Sequence, residues 1–434
     1  MRDILIIFIV LVGVVAALRR PWIGIMLWTW LSTMNPHRYG WGLAYSAPLA
    51  AMAAACVFVG WLTTKERESP FKGPPVVWFA IFMGWVTLSW LAGLNVLGDF
   101  EAWKKVMKID VMLLLALALL HSKQHIFALI WVSAGSLAVL GMKGGLFTLM
   151  SGAGNRVWGP PGSFIADNNA FALALVMIIP LLRFLHLQVQ QRWLRPGLLL
   201  AMLLCAVAAV GSYSRGALLA IVAMLITLWW RSQNKLGTGL LLISLSLPML
   251  LFMPDQWVDR MGTIQTYQAD GSAMGRIHAW LHSWNIALHY FTGVGFNTAT
   301  AELYGRFSPY AERILVAHSN YFQVLGNHGF VGLLLYVCIW VATWRTAGWL
   351  RQQTDLPPER QWTADLGAMS QVSLVGYLVG GAFLNLAYFD LPYTVMVLVV
   401  LTRVWVEGKK WVTEPVYPLT WKTIPGLGVP QRAA

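Results

Sequence analysis

GLLLAMLLCAVAAVGSYSRGALLAIVAMLITLWW, residues 197–230, is a run of 34 residues with a single charged side chain, Arg215, near its middle. As one helix it would be roughly 51 Å long, whereas the hydrocarbon core of a bilayer is about 30 Å thick. The chain therefore turns at residues 211–216 and re-enters, so that one apolar run makes two crossings. Arg215 then stands at the turn, slightly below the interface. An unpaired guanidinium is costly there and a bound anion offsets the cost; the competing reading is a side chain that snorkels to the headgroups.

Outward from this run the pattern repeats. Of 434 residues, 58% are hydrophobic and 11% charged, and long apolar runs recur from end to end, which excludes a soluble core. The 24 Trp, 18 Met and 39 Gly suit close-packed helices with interfacial aromatics better than a barrel of alternating strands. The fold class is all-α. The formal charge of +13 is scattered singly between apolar runs, so it reads as topology and excludes nucleic acid as a partner. Cys56, Cys205 and Cys338 each sit inside an apolar run and read as small buried hydrophobes. Residues 4–18 read as a retained membrane segment, since no small-residue cleavage site follows them.

Spans are expected near residues 4–18, 21–34, 47–62, 75–94, 107–120, 126–147, 169–187, 197–212, 216–230, 237–253, 329–347, 367–387 and 391–406. Several are shorter than a full crossing, so the expectation is twelve or thirteen transmembrane helices. Lys65, Arg67 and Lys72, then Arg192 and Arg195, Arg231 and Lys235, Arg345, Arg351 and Arg360, and Arg403, Lys409 and Lys410 fall on alternate loops. The positive-inside rule makes those loops cytoplasmic, together with the C-terminus. Loops 35–46, 95–106, 148–168, 213–215 and 254–328 then face the periplasm, and the side of the N-terminus stays open. The chain divides into an N-terminal bundle, 1–253, a periplasmic loop, 254–328, C-terminal helices, 329–406, and a cytoplasmic tail, 407–434.

Loop 254–328 is too rich in aromatics, among them Trp257, Tyr267, Trp280, Trp284 and Tyr321, to be a solvated linker. Ile277, Trp280, Leu281, Trp284 and Leu288 recur at helical spacing and predict an amphipathic helix over 274–290. Arg276 is expected at its start, where backbone N–H groups and a guanidinium converge on an anion. Arg306 and Arg313 read as partners for Asp255, Asp259, Asp270, Glu302 and Glu312 on the surface. Lys143 lies in an otherwise uncharged run, so it snorkels or faces a polar cavity, and Arg156 follows among rigid Pro and Gly positions. His318, with Ser319 and Asn320, closes the loop. An imidazole there is either a capping residue or a base active near neutral pH. His278 and His282 share a helix face, but HAWLH is not a zinc-binding HExxH and has no obvious third ligand. The expectation is no metal.

In order along the chain, GSYSRG at 211–216, GRIHAW at 275–280, TGVGFNTA at 292–299 and AHSNYFQVLGNHGFVGLLLY at 317–336 resemble the O-antigen ligase and polymerase superfamily. RRPWIGIMLWTWLSTMNPHRYGWG at 19–42 and KGGLFTLMSGAGNRVWGPPGSFIADNN at 143–169 resemble its subgroup described as exosortase-associated O-glycosylation ligases. The resemblance implies a GT-C-like membrane glycosyltransferase of the bacterial inner membrane, without metal or other cofactor, working at the periplasmic face. Its donor would be an undecaprenyl-pyrophosphate-linked glycan and its acceptor the lipid A core oligosaccharide. The implied roles fall on Arg215 and Arg276 for pyrophosphate and on His318 for the base. Lys143, Arg156, Arg306, Arg313 and Asn320 form a second tier of substrate-binding residues. Two departures stand out. Ser319 intervenes between His318 and Asn320, and Asn327 stands where an acidic partner for the imidazole is expected.

The chemistry suits these residues. Guanidinium groups neutralise a pyrophosphate leaving group bidentately, and one base suffices for inverting attack by an acceptor hydroxyl. The sequence has no DxD motif to hold a divalent ion. An O-antigen polymerase or a protein O-oligosaccharyltransferase would share the donor and differ in the acceptor. A lipid or sugar transporter is the more distant reading, since it would carry charges near mid-membrane in both halves rather than toward one face.

Overall fold

In the computed structural model the described residues are 2–263, 271–310, 313–353, 357 and 360–414, with the side chain of Ser272 left aside. Tyr267, Asp270, Glu312 and residues 415–434, most of the expected tail, lie outside them. The apolar runs fold as α1 (Arg2–Arg19), α2 (Pro21–Met34), the short α3 (Leu43–Ser46), α4 (Leu49–Thr63), α5 (Pro74–Leu91), α6 (Phe100–Leu119) and α7 (Lys123–Met150). Next come α8 (Asn168–Gln188), α9 (Leu194–Val210), α10 (Arg215–Arg231) and α11 (Lys235–Leu251). The long loop supplies α12 (Asp255–Gly262), α13 (Gly271–His289) and α14 (Ala301–Phe307), and the chain closes with α15 (Asn320–Arg351), α16 (Gln361–Gly380) and α17 (Asp390–Glu407). No strand occurs among the described residues, and the protein is an all-α polytopic membrane protein.

Helices α5, α7, α8, α15 and α16 are each long and apolar enough to cross a bilayer on their own. The other expected spans are also helices, shorter or more heavily charged at their ends. Helices α8 and α17 form the centre of the bundle, for nearly every side chain from Ala170 to Leu185 and from Leu391 to Leu401 is buried. Neighbouring helices approach closely where glycine removes the side chain. A Cβ on Gly145 of α7 would collide with the Leu204 carbonyl of α9, and one on Gly141 would meet Cys205.

Loop contacts sort the ends of the bundle into two groups. At one end, Glu68 accepts from Lys410 Nζ at 3.1 Å, Lys410 also donates to the His121 carbonyl at 3.1 Å, and Glu414 accepts from Lys123 N at 3.0 Å. Gln188 Nε2 donates to Asp365 at 2.7 Å near the same end. Asp3 lies at the other end, against Gly40 and Gly42. There too Leu94 N donates to the Val294 carbonyl at 3.2 Å, and Trp257 Nε1 to the Val210 carbonyl at 3.0 Å. The N-terminus therefore shares an end with loops 35–46, 95–106, 148–168, 213–215 and the long loop, opposite residue 414.

Two elements start elsewhere than the pattern predicts. The first is α15, which begins at Asn320, inside the stretch expected to be loop, and bends at Gly329. Gly329 has φ +69°, and a Cβ there would collide with the Phe291 carbonyl, so only glycine lets the TGVGF backbone lie against the bend. Gly295 N donates to the Asn327 carbonyl at 3.1 Å, a carbonyl that the bend leaves without its helical partner. The second is α13. It starts at Gly271, so Arg276 sits more than a turn inside the helix and away from its terminal N–H groups.

Candidate functional site

The site is built around the start of α8, at the end of the bundle that carries the long loop. Asp167 caps this helix, its Oδ1 accepting from Asn169 N at 2.8 Å and Ala170 N at 3.3 Å. Asn168 Nδ2 donates to the Ser212 carbonyl at 2.7 Å, and Val157 N to the Gly211 carbonyl at 3.4 Å. These bonds join segment 157–168 to the tight turn between α9 and α10. Ser214 caps α10 by accepting from Ala217 N at 3.2 Å, which sets Arg215 as the first helical residue, only 9% exposed. Its Nη1 donates to Thr263 Oγ1 at 2.7 Å at the end of α12. Helix α12 is moored on the same turn, because Arg260 Nε donates to the Tyr213 carbonyl at 3.0 Å.

Segment 317–319 enters the site from the other end of the loop. Trp280 Nε1 of α13 donates to the Ala317 carbonyl at 2.8 Å, and Ser319 N donates to Asn385 Oδ1 at 3.3 Å. Between these anchors His318 takes φ +44°, a left-handed conformation that costs a non-glycine residue of order 1–3 kcal/mol. Among the described residues, four of the five non-glycine residues with positive φ, Asn35, Ala153, Tyr213 and His318, lie at this end of the bundle. Strain of this kind concentrates at functional sites. His318 is exposed to solvent. Its pKa is lowered by burial first and by the nearby Arg276 charge next, while the Asp167 carboxylate pulls it upward. At neutral pH the imidazole is therefore uncharged and able to accept a proton.

Arg276 and His318 are thus within electrostatic reach of each other, and Arg215 is linked to them through the C-terminal connector, residues 381–389 between α16 and α17. Gly216 packs against Phe383, and Asn385 two residues on bonds the backbone beside His318. The second-tier residues divide. The Arg156 guanidinium lies 5.8 Å from the Tyr213 ring, beside the Arg215 turn, and Lys143 Nζ lies 5.1 Å from the Tyr39 ring; both are exposed. Arg306 is exposed on α14, 3.9 Å from Glu302, and Arg313 is exposed in the loop after it. Among the described residues no contact draws either toward His318. Asn320 is buried, and its Oδ1 accepts from Leu386 N at 2.6 Å, so its carboxamide positions the connector. His282 Nε2 meets the Thr298 carbonyl at 2.9 Å and His278 stacks on Tyr310, so the two rings are held apart from a shared ligand.

The second histidine of the AHSNYFQVLGNHG segment is a packing element. His328 is buried, with Nδ1 2.8 Å from Ser89 Oγ and Nε2 2.7 Å from the Tyr388 hydroxyl. Since Ser89 donates to the Thr292 carbonyl at 2.6 Å, the network assigns the ring proton to Nδ1, leaving Nε2 to accept from Tyr388. Asn327 Nδ2 donates to the same hydroxyl at 3.0 Å. The position where an acidic partner was expected thus serves the bend of α15.

Four residues that the sequence reading passed over belong to this end. Asp167 supplies a negative charge that acts on His318, which Asn327 cannot. Arg38, in the 3-10 turn Pro36–Tyr39, has its guanidinium carbon 3.6 Å from where a Cβ on Gly162 would stand. Lys105 Nζ lies 3.7 Å from the centre of the Phe164 ring. Burial lowers the pKa of this ammonium, Arg38 lowers it further and Asp390 offsets part of the shift. The available signal was the Pro- and Gly-bracketed NPHRYG following an apolar run. Asp99, also unremarked, accepts from Phe296 N at 2.7 Å and ties loop 292–297 to the start of α6.

Residues 200–337 match the family model described as O-Antigen ligase, a stretch that holds Arg215, Arg276 and His318. Residues 1–190 match a family of unknown function, DUF5935, a stretch that holds Arg38, Lys105, Lys143, Arg156 and Asp167. No curated protein matches the chain.

Proposed function

We propose that this chain, which carries an O-antigen ligase family segment over residues 200–337, transfers a glycan from undecaprenyl pyrophosphate to the lipid A core oligosaccharide at the periplasmic face of the bacterial inner membrane. The family match supports ligase- or polymerase-type function and a membrane glycosyltransferase-like enzyme in general terms. The main support for the proposal is the neutral imidazole of His318, presented on a strained backbone beside Arg276.

In this reading Arg215 and Arg276 hold the pyrophosphate bidentately and take up the charge that grows as it leaves. His318 removes the proton of the acceptor hydroxyl as its oxygen attacks the anomeric carbon. The new C–O bond forms as the bond to phosphate breaks, with inversion; the electron pair departs with polyprenyl pyrophosphate, and His318 later returns the proton to solvent. No cofactor enters the step. Guanidinium charge replaces that of a divalent ion, so EDTA is expected to leave turnover unchanged. The apolar flank of the bundle keeps the polyprenyl chain in lipid, and the cation-rich end favours surface chemistry over transport.

The test is transfer by purified protein from polyprenyl-pyrophosphate glycan to lipid A core, with and without EDTA. Arg215→Lys and Arg276→Lys keep the charge but lose the fork, and are expected to weaken donor use by roughly 10- to 100-fold. Full activity in both Arg215→Ala and Arg276→Ala would end the assignment, and EDTA-sensitive turnover would move attention to Asp255, Asp259 and Glu302. Transfer only to a second lipid-linked glycan, or only to protein, would select the polymerase or the protein O-oligosaccharyltransferase instead.

A further inference from the structure

Arg38 and Lys105 are not used by the reaction just described, and they come from distant parts of the chain. Folding brings both to one short, Pro-stiffened segment, Arg38 against Gly162 and Lys105 over Phe164. Arg38 also lies 5.1 Å from the Tyr45 ring. Neither cation is in a salt bridge among the described residues. The nearby carboxylate of Asp390 accepts from Ser32. Two like charges beside one segment repel, and an anion between them relieves that repulsion.

Segment 157–168 has separate attachments. Through Val157 and Asn168 it bonds the turn that presents Arg215, whereas Gly162 and Phe164 are the points that meet Arg38 and Lys105. Asp167, whose carboxylate acts electrostatically on His318, closes the same segment. The Phe164 ring also faces Phe389 at 6.4 Å, on the connector whose Asn385 bonds Ser319. In a displacement the leaving group and the attacking hydroxyl belong to different molecules, and each needs its own hold if the anomeric carbon is to lie in line between them with the base beside the hydroxyl.

We propose that Arg38 and Lys105 form a second anion site, which takes a phosphate or carboxylate on the acceptor saccharide. The acceptor is then an anionic saccharide and not a neutral protein hydroxyl. The proposal deepens the transferase reading and rests on it for the word acceptor, but the site itself is open to a direct binding measurement.

The probe is phosphorylated core oligosaccharide freed from lipid A, titrated onto the full-length protein in nanodiscs. The wild type is expected to bind it. Arg38→Gln/Lys105→Gln should bind roughly 10- to 100-fold more weakly, the loss of hydrogen bonds to a charged group. Arg38→Lys/Lys105→Arg should recover part of the affinity, which a merely misfolded variant would not. Phosphatase treatment or carboxyl reduction of the probe should lower wild-type affinity, and whichever does so names the anion. In the transfer assay the Gln variant should raise KM for acceptor and leave KM for donor unchanged. The site is overturned if the wild type does not bind the probe, if neither treatment changes affinity, or if the Gln variant binds as tightly as wild type. A raised donor KM would assign the pair to the donor and overturn the acceptor reading. Oligosaccharide binding without any glycan transfer would instead sink the transferase reading and leave the anion site standing.

Discussion

The two histidines of AHSNYFQVLGNHG should separate chemistry from stability. His318 has no hydrogen-bond partner among the described residues, so His318→Ala orphans no buried group, and the left-handed backbone is strained with either side chain. Stability should stay within about 0.5 kcal/mol of wild type. Turnover should fall by about 10²- to 10⁴-fold if the ring is the general base. His328→Ala is the opposite case. It removes partners from Ser89 and Tyr388 in a site where the ring is 0% exposed, and it leaves a cavity beside the bend of α15. Ser89 still donates to the Thr292 carbonyl, so the main orphan is the Tyr388 O–H, at about 1–3 kcal/mol. The cavity brings the expected destabilisation to about 2–5 kcal/mol. Thermal unfolding by intrinsic fluorescence in detergent, paired with glycan transfer, reads both quantities. A His318→Ala protein that unfolds as early as His328→Ala, or one that turns over normally, would refute the division of labour.

The acid limb of the kcat/KM profile should report His318, with activity gained as the ring deprotonates below its ordinary value. Arg276→Gln removes a charge that lowers the ring and should move the limb to higher pH, whereas Asp167→Asn, which still caps α8, should move it lower; a profile unmoved by both would remove His318 as the titrating group. At the opposite end, burial alone would raise Glu68, but hydrogen bonds from Lys72 and Lys410 outweigh it and hold the carboxyl at about 2. A depressed carboxyl stabilises above its unfolded value and ceases to as pH falls through the folded one. Because the Glu68 side chain is 32% exposed and solvent screens its partners, Glu68→Gln should cost under about 1 kcal/mol at pH 7, and a melting difference that vanishes by pH 5 would contradict this reading. Cysteines placed at Gly305, where a side chain meets open space, and at Glu66, both exposed and at opposite ends, should differ toward an impermeant thiol reagent in intact cells, with position 305 labelled and 66 spared. The reverse result inverts the topology.

The helices were legible because lipid imposes one rule, that apolar runs hide their backbone in helices, and all thirteen expected spans coincide with helical segments. The start of α15 was not, because Asn320, Gln323 and Asn327 make its first turns look like loop. Their polar groups instead serve the connector and the bend, as the Asn320 bond to Leu386 N and the Asn327 bond to Tyr388 illustrate. Within the site, Arg215 and His318 stood out as polar groups next to apolar runs. Arg38, Lys105 and Asp167 did not, since each has an ordinary local reading and becomes unusual only through partners on other segments. A single sequence carries no trace of such pairings.

Arg276 differs from the other two residues of the proposed reaction in what carries it. Arg215 starts a bundle helix and His318 adjoins another, while Arg276 rides on α13, within the excursion between α11 and α15. Its distance from the other two is therefore set by crossbeams: Trp280 to the Ala317 carbonyl, and Tyr304 of α14 to the Leu315 carbonyl. Lengthening either crossbeam would shift one arginine of the pair against a fixed partner and a fixed base. If the two guanidinium groups share one anion as proposed, its size is set by an indole and a phenol that bond only backbone carbonyls in the loop.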